Sequence, residues 1–337
     1  MSVSEIAKPP TIQKITGSQA TFMALDEAMG LDPNVLVLGE DIADPEGGGI
    51  VRATHGLSSK YGNRVRTTPI SEQAIIGAAI GAAIAGKRPV AEIMLMNFMA
   101  VAMDQIVNHA AKLRYMSGGK TSVPITIRTM SGVGGGAGGQ HSDMVEAWFA
   151  HTPGLKVVVP SNPADQYALL KSCIFDDDPC IFIETTMIMR GSGPAPIPGY
   201  SVPLGKANIV RTGTDVTVIG YGRPMHDIIA VAERLAGEGV SVEVIDLRTI
   251  VPMDEAAVFA SVAKTRRAVI VHEAVTRFGV GAEIAARINE ELFGDLAAPV
   301  ERVGARYTPV PFSKPLEQAY MWSQDRIEAA IRKTLGR

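Results

Sequence analysis

Continuous apolar runs alternate with segments of helical length along most of the chain. In the first half these runs are VLVLGE (35–40), PVAEIML (89–95), VPITIRTM (123–130), LKVVVP (155–160) and CIFIE (180–184). The spacing predicts helices between them over residues 71–85, 98–116, 143–150 and 163–175. Strands that are apolar on both faces and alternate with helices are typical of a parallel sheet covered on both sides. We therefore expect an α/β fold.

A stretch rich in proline and glycine interrupts this pattern at MIMRGSGPAPIPGYSVPLGK (187–206). Its four prolines and four glycines favour a connection without regular structure. Beyond it the alternation resumes with DVTVIGYG, VSVEVIDLRT and RAVIVHEA, each followed by a segment of helical length. We expect two domains, each with a mainly parallel sheet and helices on both faces. Their predicted bounds are an N-terminal extension 1–14, a first domain 15–190, a linker 191–206 and a second domain 207–337.

The predicted helix within TTPISEQAIIGAAIGAAIAG (67–86) carries an acid in its first turn. After Gln73 a dozen residues pass without a polar side chain, so we expect this helix to be buried on every side. Thr68 or Ser71 can cap the helix, and an acid complements the positive end of its dipole. A carboxylate at the start of a buried helix is nevertheless costly without a partner. Glu72 must therefore reach solvent or have a partner or a proton.

Composition and charge exclude several classes of protein. Apolar residues make up 46% of the 337 residues and charged residues 20%, which suits large cores rather than a disordered chain. The net charge of −3 gives no basic field for nucleic acid or an anionic membrane. Two cysteines fit a reducing compartment, and neither a signal peptide nor a membrane span is evident. We therefore expect a cytoplasmic protein that binds neither nucleic acid nor membrane.

The glycine-rich segment GVGGGAGGQHSDM (132–144) lies between a predicted strand and a predicted helix. Gly134, Gly136 and Gly139 satisfy the GxGxxG pattern that binds a dinucleotide pyrophosphate. Six glycines in eight residues satisfy many patterns, and the next strand ends in VVVPSNP, without the acid that dinucleotide binding requires. An NAD-binding oxidoreductase is therefore disfavoured. The loop could instead let the backbone approach a ligand closely, or be mobile.

Nine segments, in order from about residue 15 to the C-terminus, resemble one family. They are LGEDIA (38–43), TTPISEQ (67–73), AEIMLMNF (91–98), DQIVNHAAKLRYMSGGK (104–120), GGQHSD (138–143), PGLKVVVPSNPAD (153–165), EVIDLRTIVPMD (243–254), FGVGAEIAARI (278–288) and TPVPFS (308–313). The family is the beta subunit of the thiamine-diphosphate-dependent, decarboxylating component of 2-oxo-acid dehydrogenase complexes. The resemblance implies a pyrimidine-binding, transketolase-like first domain and a transketolase C-terminal-like second domain.

The resemblance also implies an active site. Glu72 matches the glutamate that hydrogen-bonds the aminopyrimidine ring of thiamine diphosphate and favours its imino tautomer. Burial raises the pKa of a carboxyl group, which suits one that exchanges a proton with a ring nitrogen. His141 matches an active-site histidine that handles intermediates or the reaction with the lipoyl arm. The cofactor-contact positions implied by the resemblance are Glu40, Ile70, Met94 and Phe98, although Glu40 could equally cap the loop after its strand.

Cation sites and partners follow from the same resemblance. Ile125, Cys173, Asp176 and Asp178 match positions that hold a structural potassium ion, largely through backbone oxygens. A hydrogen-bonded acidic turn is the alternative for this segment. The Gly-Asp-Gly segment that holds magnesium and the diphosphate is not found in this sequence. An alpha subunit is therefore expected to supply both, in a heterotetramer of two alpha and two beta chains with the cofactor at the alpha–beta interface.

The expected reaction is oxidative decarboxylation of a 2-oxo acid, with acyl transfer to lipoyl groups of an acyltransferase core. Pyruvate is the first choice of substrate, with acetoin second and branched-chain 2-oxo acids third. Three departures bear on substrate choice. Asp143 stands where members often have Gln, the loop before it is unusually rich in glycine, and Val101 stands where pyruvate-specific relatives can carry a polar residue. A non-catalytic scaffold subunit is the remaining alternative, and Glu72 and His141 argue against it.

Overall fold

The computed structural model describes residues 14–337, so the predicted N-terminal extension lies outside the described residues except for Lys14. The predicted first domain contains β1 (Lys14–Thr16), α1 (Gly17–Leu31), β2 (Val35–Gly39), α2 (Leu57–Tyr61), β3 (Val65–Thr67), α3 (Glu72–Ile84), β4 (Arg88–Leu95), α4 (Ala111–Met116), β5 (Thr126–Ser131), α5 (Gly139–Ser142), α6 (Glu146–Ala150), β6 (Lys156–Val158), α7 (Pro163–Ile174), β7 (Cys180–Thr185) and α8 (Thr186–Arg190). The predicted linker is not free of regular structure, because it contains β8 (Ser192–Pro194), which pairs with β1. The second domain contains β9 (Asn208–Arg211), β10 (Val216–Gly220), α9 (Pro224–Ala236), β11 (Val242–Asp246), β12 (Thr249–Val251), α10 (Glu255–Thr265), β13 (Ala268–Val275), α11 (Val280–Leu292), β14 (Glu301–Ala305), α12 (Lys314–Tyr320) and α13 (Gln324–Thr334).

Two mainly parallel sheets form the framework. The larger sheet has the strand order β12-β6-β7-β5-β4-β2-β3, and every neighbouring pair is parallel except β12 with β6. The smaller sheet has the order β14-β13-β10-β11-β9, with only β9 antiparallel. Within residues 14–337 no helix is long and apolar enough to cross a membrane. The predicted α/β class with two mainly parallel sheets is confirmed.

Helices cover both faces of the larger sheet, as expected. On one face α1 and α7 pack against apolar side chains of β2, β4 and β7 in one core cluster. On the other face α3 and the segment after β4 join a cluster that continues into α10 and α11 of the second domain. The core therefore runs from one domain into the other. The second domain also adds β12 to the edge of the larger sheet, a pairing that the sequence pattern did not predict.

The single helix predicted over residues 98–116 is replaced by three helical pieces. Residues Met96–Ala102 form a 3₁₀ helix, Gln105–Ala110 form a π-helix, and α4 follows. The buried residues of the first piece are Met96, Met99 and Ala102. A spacing of three residues matches the three residues per turn of a 3₁₀ helix, so the tighter helix keeps all three in the core.

The prediction that α3 is buried on every side is wrong for this chain by itself. Ile75, Ile76, Ala79, Ile80 and Ala83 face the core. The opposite face is exposed and consists mostly of small apolar residues, namely Ala74, Ala78, Gly81, Ile84 and Ala85. An apolar helix face in water is typical of a surface that another chain covers, so this face is a candidate contact surface.

A buried charge network lies in the middle of the larger sheet. Arg128 of β5 is 1% exposed and donates to Glu92 of β4 at 2.7 Å and to Glu184 of β7 at 2.8–3.2 Å. Thr21 of α1 donates to Glu184 at 2.7 Å and extends the network to a covering helix. Burial raises the pKa of Glu92, while the charge of Arg128 opposes that rise. One guanidinium therefore satisfies carboxylates on both neighbouring strands.

We expect Arg128→Met to lower the free energy of unfolding by about 3–5 kcal/mol, because it leaves two buried carboxylates without their partner. Chemical denaturation of the purified chain measures this change. Arg287→Met is the control, since Arg287 pairs with three acids on the surface. Solvent screens surface pairs, so the control should lose far less stability. Equal losses in the two variants would contradict a special role for the buried network.

Asp246 links the two domains at the end of β11. Its carboxylate accepts a hydrogen bond from the Ser161 hydroxyl, just after β6, and another from the Arg248 backbone N–H at 3.0 Å. Burial raises the pKa of Asp246 from its ordinary 3.8 to about 7. The folded state therefore holds this proton more tightly than the unfolded chain does. The resulting stability is fully present below pH 3.8 and is lost as the pH rises towards 7.

We expect Asp246→Asn to remove this dependence on pH. Between pH 4 and pH 7 the wild-type chain should lose stability relative to the variant, at up to about 1.4 kcal/mol per pH unit. Above pH 7 the difference between the two proteins should become constant. Denaturation of both proteins across this range measures the difference. A gap that stays constant from pH 4 to pH 7 would contradict the raised pKa.

Candidate active site

The central strands of the larger sheet end together at one edge. Gly39, the last residue of β2, pairs with Glu92 of β4, and Leu95 at the end of β4 pairs with Met130 of β5. Because the strands are parallel, the residues that follow them leave the sheet on the same side. Glu40 follows β2, the Met96–Ala102 helix follows β4, and the glycine-rich loop follows β5. Segments far apart in the sequence therefore meet at this edge.

The start of α3 lies at the same edge. The Thr68 backbone N–H donates to the Gly39 carbonyl oxygen at 2.9 Å and fastens the approach to α3 onto the end of β2. Ser71 is the N-cap residue, but its side chain makes no capping hydrogen bond. The Thr68 hydroxyl is buried and has no hydrogen-bond partner within residues 14–337. Neither residue therefore acts as the side-chain cap that the sequence suggested.

Glu72 and Glu40 form a pair of like charges at this edge. Glu72 is the first residue of α3 and is half-buried, and its carboxylate makes no hydrogen bond or ion pair in the part of the chain that the structure describes. Burial raises the pKa of Glu40, and the charges of Glu72, Asp41 and Glu92 add to this effect. A ligand that brings an N–H donor or a positive charge would therefore be favoured here.

An aromatic and apolar wall stands beside these acids. The Phe98 ring contacts the His141 ring edge-on, with 5.5 Å between centroids and an angle of 77°. Met94 and Phe98 are half-buried, whereas Ile70 is 82% exposed. His141 is exposed on α5. The sequence-predicted residues Glu40, Ile70, Glu72, Met94, Phe98 and His141 thus all lie on the segments that meet at this edge, and the contact between Phe98 and His141 is direct.

Asn97 is a polar residue at this edge that the sequence analysis did not single out. Its amide donates to the Gly139 carbonyl oxygen at 3.0 Å and to the Asp143 carboxylate at 2.9 Å, and it accepts from the Asp143 N–H at 3.2 Å. Burial raises the pKa of Asp143, while the Asn97 hydrogen bond opposes that rise. Asn97 therefore holds α5, and with it His141, against the end of β4. The sequence feature that could have identified Asn97 is its single amide side chain within the mostly apolar run AEIMLMNFMA.

The glycine-rich loop does not present a dinucleotide site. The N–H groups of Val133, Gly134 and Gly136 already donate to carboxylates of Glu273 and Glu317 from the second domain. A pyrophosphate binds through free N–H groups at such a loop, and carboxylates beside it would repel the anion. This geometry argues against the NAD-binding alternative.

The acidic turn at residues 176–178 is neutralised by basic side chains. The Lys156 ammonium lies 2.6 Å from both carboxylate oxygens of Asp176, and Arg114 pairs with Asp178 at 2.5 Å. Arg88 donates to the Asp176 carbonyl oxygen at 3.0 Å. The carbonyl oxygens of Ile125 and Cys173 accept the N–H groups of Cys180 and Asp176 at 2.9 and 3.2 Å.

These residues do not fit a cation bound through side chains. Within residues 14–337 no group of three or more His, Cys, Asp or Glu residues is arranged to hold a metal ion. Burial raises the pKa of the Cys173 thiol well above its ordinary value, so sulfur is not an anionic ligand. Only backbone oxygens, each with a second lone pair, could still contact an ion in this turn.

Comparisons with known proteins agree with this geometry. Residues 13–191 match the family model of the transketolase pyrimidine binding domain, and residues 205–327 match that of the transketolase C-terminal domain. The acetoin:2,6-dichlorophenolindophenol oxidoreductase subunit beta of Cupriavidus necator is 45% identical over 331 residues, covering 96% of this chain and 98% of that protein. The mitochondrial pyruvate dehydrogenase E1 component subunit beta of Rattus norvegicus is 42% identical over 333 residues, covering 97% and 92%.

A solved structure shares the fold. It is described as a split gene transketolase, inactive beta4 tetramer, with a TM-score of 0.78, 22% identity, and coverage of 96% of this chain and 98% of that one. The sequence match extends over both domains, and the residues expected from the motifs meet at one edge of the larger sheet. The chain therefore belongs to the transketolase-like family of 2-oxo-acid dehydrogenase beta subunits, which includes those of pyruvate dehydrogenase and acetoin-oxidising enzymes.

Proposed function

We propose that this chain forms the pyrimidine side of a thiamine diphosphate site and works with an alpha subunit in oxidative cleavage of a small carbonyl substrate. The observation that carries the proposal is the Glu72 carboxylate. It begins an otherwise apolar helix, has no partner among residues 14–337, and lies close enough to Glu40 to raise the pKa of that group. An N–H donor from a cofactor ring would supply the missing partner.

The residues at this edge suit the cofactor. When bound, thiamine diphosphate supplies a carbon nucleophile that attacks a carbonyl carbon. Glu72 would hold the pyrimidine ring through a hydrogen bond and exchange a proton with a ring nitrogen. Ile70, Met94 and Phe98 would pack against the ring and exclude water. His141, held against Phe98, would donate or accept a proton near the reacting carbonyl group.

An alpha subunit is proposed as the partner that covers the exposed face of α3. This face carries Ala74, Ala78, Gly81 and Ala85, residues small enough for another backbone to approach closely. Ile70 and Val101, which is 59% exposed, extend the apolar surface towards the site. The alpha subunit would supply magnesium and the diphosphate contacts, for which this sequence has no Gly-Asp-Gly segment. We propose a heterotetramer of two alpha and two beta chains with a cofactor at each alpha–beta interface.

Pyruvate is the proposed substrate, with acyl transfer to lipoyl groups on an acyltransferase core. Acetoin is the second candidate, because the Cupriavidus necator relative that acts on acetoin is 45% identical to this chain. The proposed potassium site at Ile125, Cys173, Asp176 and Asp178 stays a prediction from the family resemblance, restricted to backbone oxygens.

We expect Glu72→Gln to lower kcat by at least about 100-fold, because an amide cannot exchange the proton that the carboxyl group supplies. The assay uses the complex co-expressed with its alpha subunit, with thiamine diphosphate, magnesium and an artificial electron acceptor. Pyruvate, acetoin and branched-chain 2-oxo acids are tested in parallel. The substrate with the highest wild-type kcat/KM identifies the enzyme's specificity.

Glu283→Gln is the matched control for this experiment. Glu283 is also an acid in the first turn of a helix, α11 of the second domain, and it is exposed. Its replacement removes the same favourable interaction with a helix dipole and should leave kcat unchanged. If Glu72→Gln retained wild-type turnover on the preferred substrate, or if both variants lost activity equally, the role assigned to Glu72 would be wrong.

A further inference from the structure

The glycine-rich loop, residues 132–138, is held by two carboxylates that come from the second domain. Glu273 lies in β13 and accepts the Val133 N–H at 2.7 Å. Glu317 lies in α12 and accepts the N–H groups of Gly134 at 2.7 Å and Gly136 at 3.2 Å through the same oxygen atom. We call Glu273 and Glu317 the carboxylate clamp.

The clamp is buried and shielded from water. Glu273 is 2% exposed and Glu317 is 3% exposed. Burial raises the pKa of Glu273 to about 7, while its hydrogen bond from the Val133 N–H opposes that rise. Because water does not compete for these groups, their hydrogen bonds hold the loop backbone in either protonation state. Arg223, also from the second domain, donates to the Val133 carbonyl oxygen at 3.1 Å and fixes the opposite side of the same residue. Both polar groups of the Val133 backbone are therefore bound by the second domain.

Two glycines of the loop fit closely against the second domain. Gly132 has a φ of +117°, and a Cβ atom at this position would lie 2.8 Å from the Glu273 carboxylate. Gly138 has a φ of +75°, and a Cβ atom there would lie 2.4 Å from the Phe312 ring. Any other residue would be strained at both positions and would push the second domain away. Gly132 and Gly138 thus allow the Glu273 carboxylate and the Phe312 ring to approach the loop closely.

The loop connects directly to the histidine of the proposed active site. It begins after β5 and ends at α5, which carries His141 one turn after Gly138. The His141 N–H donates to the Gly138 carbonyl oxygen at 3.2 Å. Asn97 holds α5 from the first domain, at the Gly139 carbonyl oxygen and at Asp143. The carboxylate clamp holds the preceding residues from the second domain, so His141 is constrained by both domains.

We propose that Glu273 and Glu317 are positioning residues for His141, and that the second domain sets the placement of this histidine through the backbone of the glycine-rich loop. The proposal rests on the proposed function, because it assigns His141 to the reaction. Loss of the clamp should move the histidine rather than remove it. A displacement of about 1 Å at a reacting group can cost on the order of 100-fold in rate.

The test uses the complete alpha–beta complex with three variants. Glu317→Ala removes the acceptor of two loop N–H groups, whereas Glu317→Gln keeps a carbonyl oxygen that can accept both. Glu243→Ala is the matched control, since Glu243 is also buried in the second domain and accepts a loop N–H, from Gly213 at 3.1 Å, far from the site. Amide hydrogen exchange of the peptide covering residues 131–144 is measured without substrate, and kcat and KM are then measured with the preferred substrate.

We expect exchange of the 131–144 peptide to accelerate at least about tenfold in Glu317→Ala. Its kcat should fall about 10- to 100-fold, with a change in KM of less than about threefold, because substrate contacts remain. Glu317→Gln should restore both quantities to within about threefold of the wild type. Glu243→Ala should leave the exchange of this peptide and kcat unchanged at temperatures where the complex is folded.

Two results would contradict the proposal that the carboxylate clamp positions His141. One is wild-type exchange of the 131–144 peptide in Glu317→Ala, and the other is an equal loss of kcat in Glu243→Ala. These failures differ from failure of the proposed function, in which the wild-type complex would turn over none of the substrates. The exchange measurement needs no substrate, so it tests the clamp even in that case.

Discussion

Parallel pairing of β2, β4 and β5 forces three segments that are distant in the sequence to leave the larger sheet at one edge. Everything at the proposed site depends on this constraint: Glu40, the Met96–Ala102 helix with Phe98, and the loop that leads to His141. The buried Arg128 strengthens it, because its guanidinium bonds to carboxylates on both flanking strands. The backbone bond from Thr68 to Gly39 then brings Glu72 to the same edge. Short motifs that are far apart in the sequence therefore contribute residues to one site.

The site is also open where a second chain would complete it. One face of α3 belongs to the core, while the other is exposed and built from alanine, glycine and isoleucine. Glu72 begins this helix, so the carboxylate stands at the border between the core and the exposed face. The second domain, by contrast, contributes from within the same chain by holding the glycine-rich loop through Glu273 and Glu317. The site thus has one side fixed by the fold and one side left for a partner.

Periodicity and motif order predicted much of this arrangement. The alternation of apolar runs and helices predicted the α/β fold and the central strands of both sheets, but not the short strands β1, β3, β8, β9 and β12. The motifs supplied the candidate site residues, and the structure places these on segments that meet at one sheet edge. The burial of α3 was predicted wrongly, because a run of alanine, glycine and isoleucine looks the same whether its partner is the same chain or another. The three-part segment after β4, the pairing of β12 with β6, and the clamp on the loop depend on tertiary contacts. No local pattern carries that information.

The central claim is that this chain provides half of a cofactor site. Isothermal titration of thiamine diphosphate, with magnesium present, into this chain, the alpha subunit and their complex tests it directly. The account predicts saturable binding by the complex, with one cofactor for each alpha–beta pair, and affinity weaker by at least about 100-fold for either chain alone, which corresponds to about 2.7 kcal/mol. Equally tight binding by this chain alone, or no binding by the complex, would contradict it.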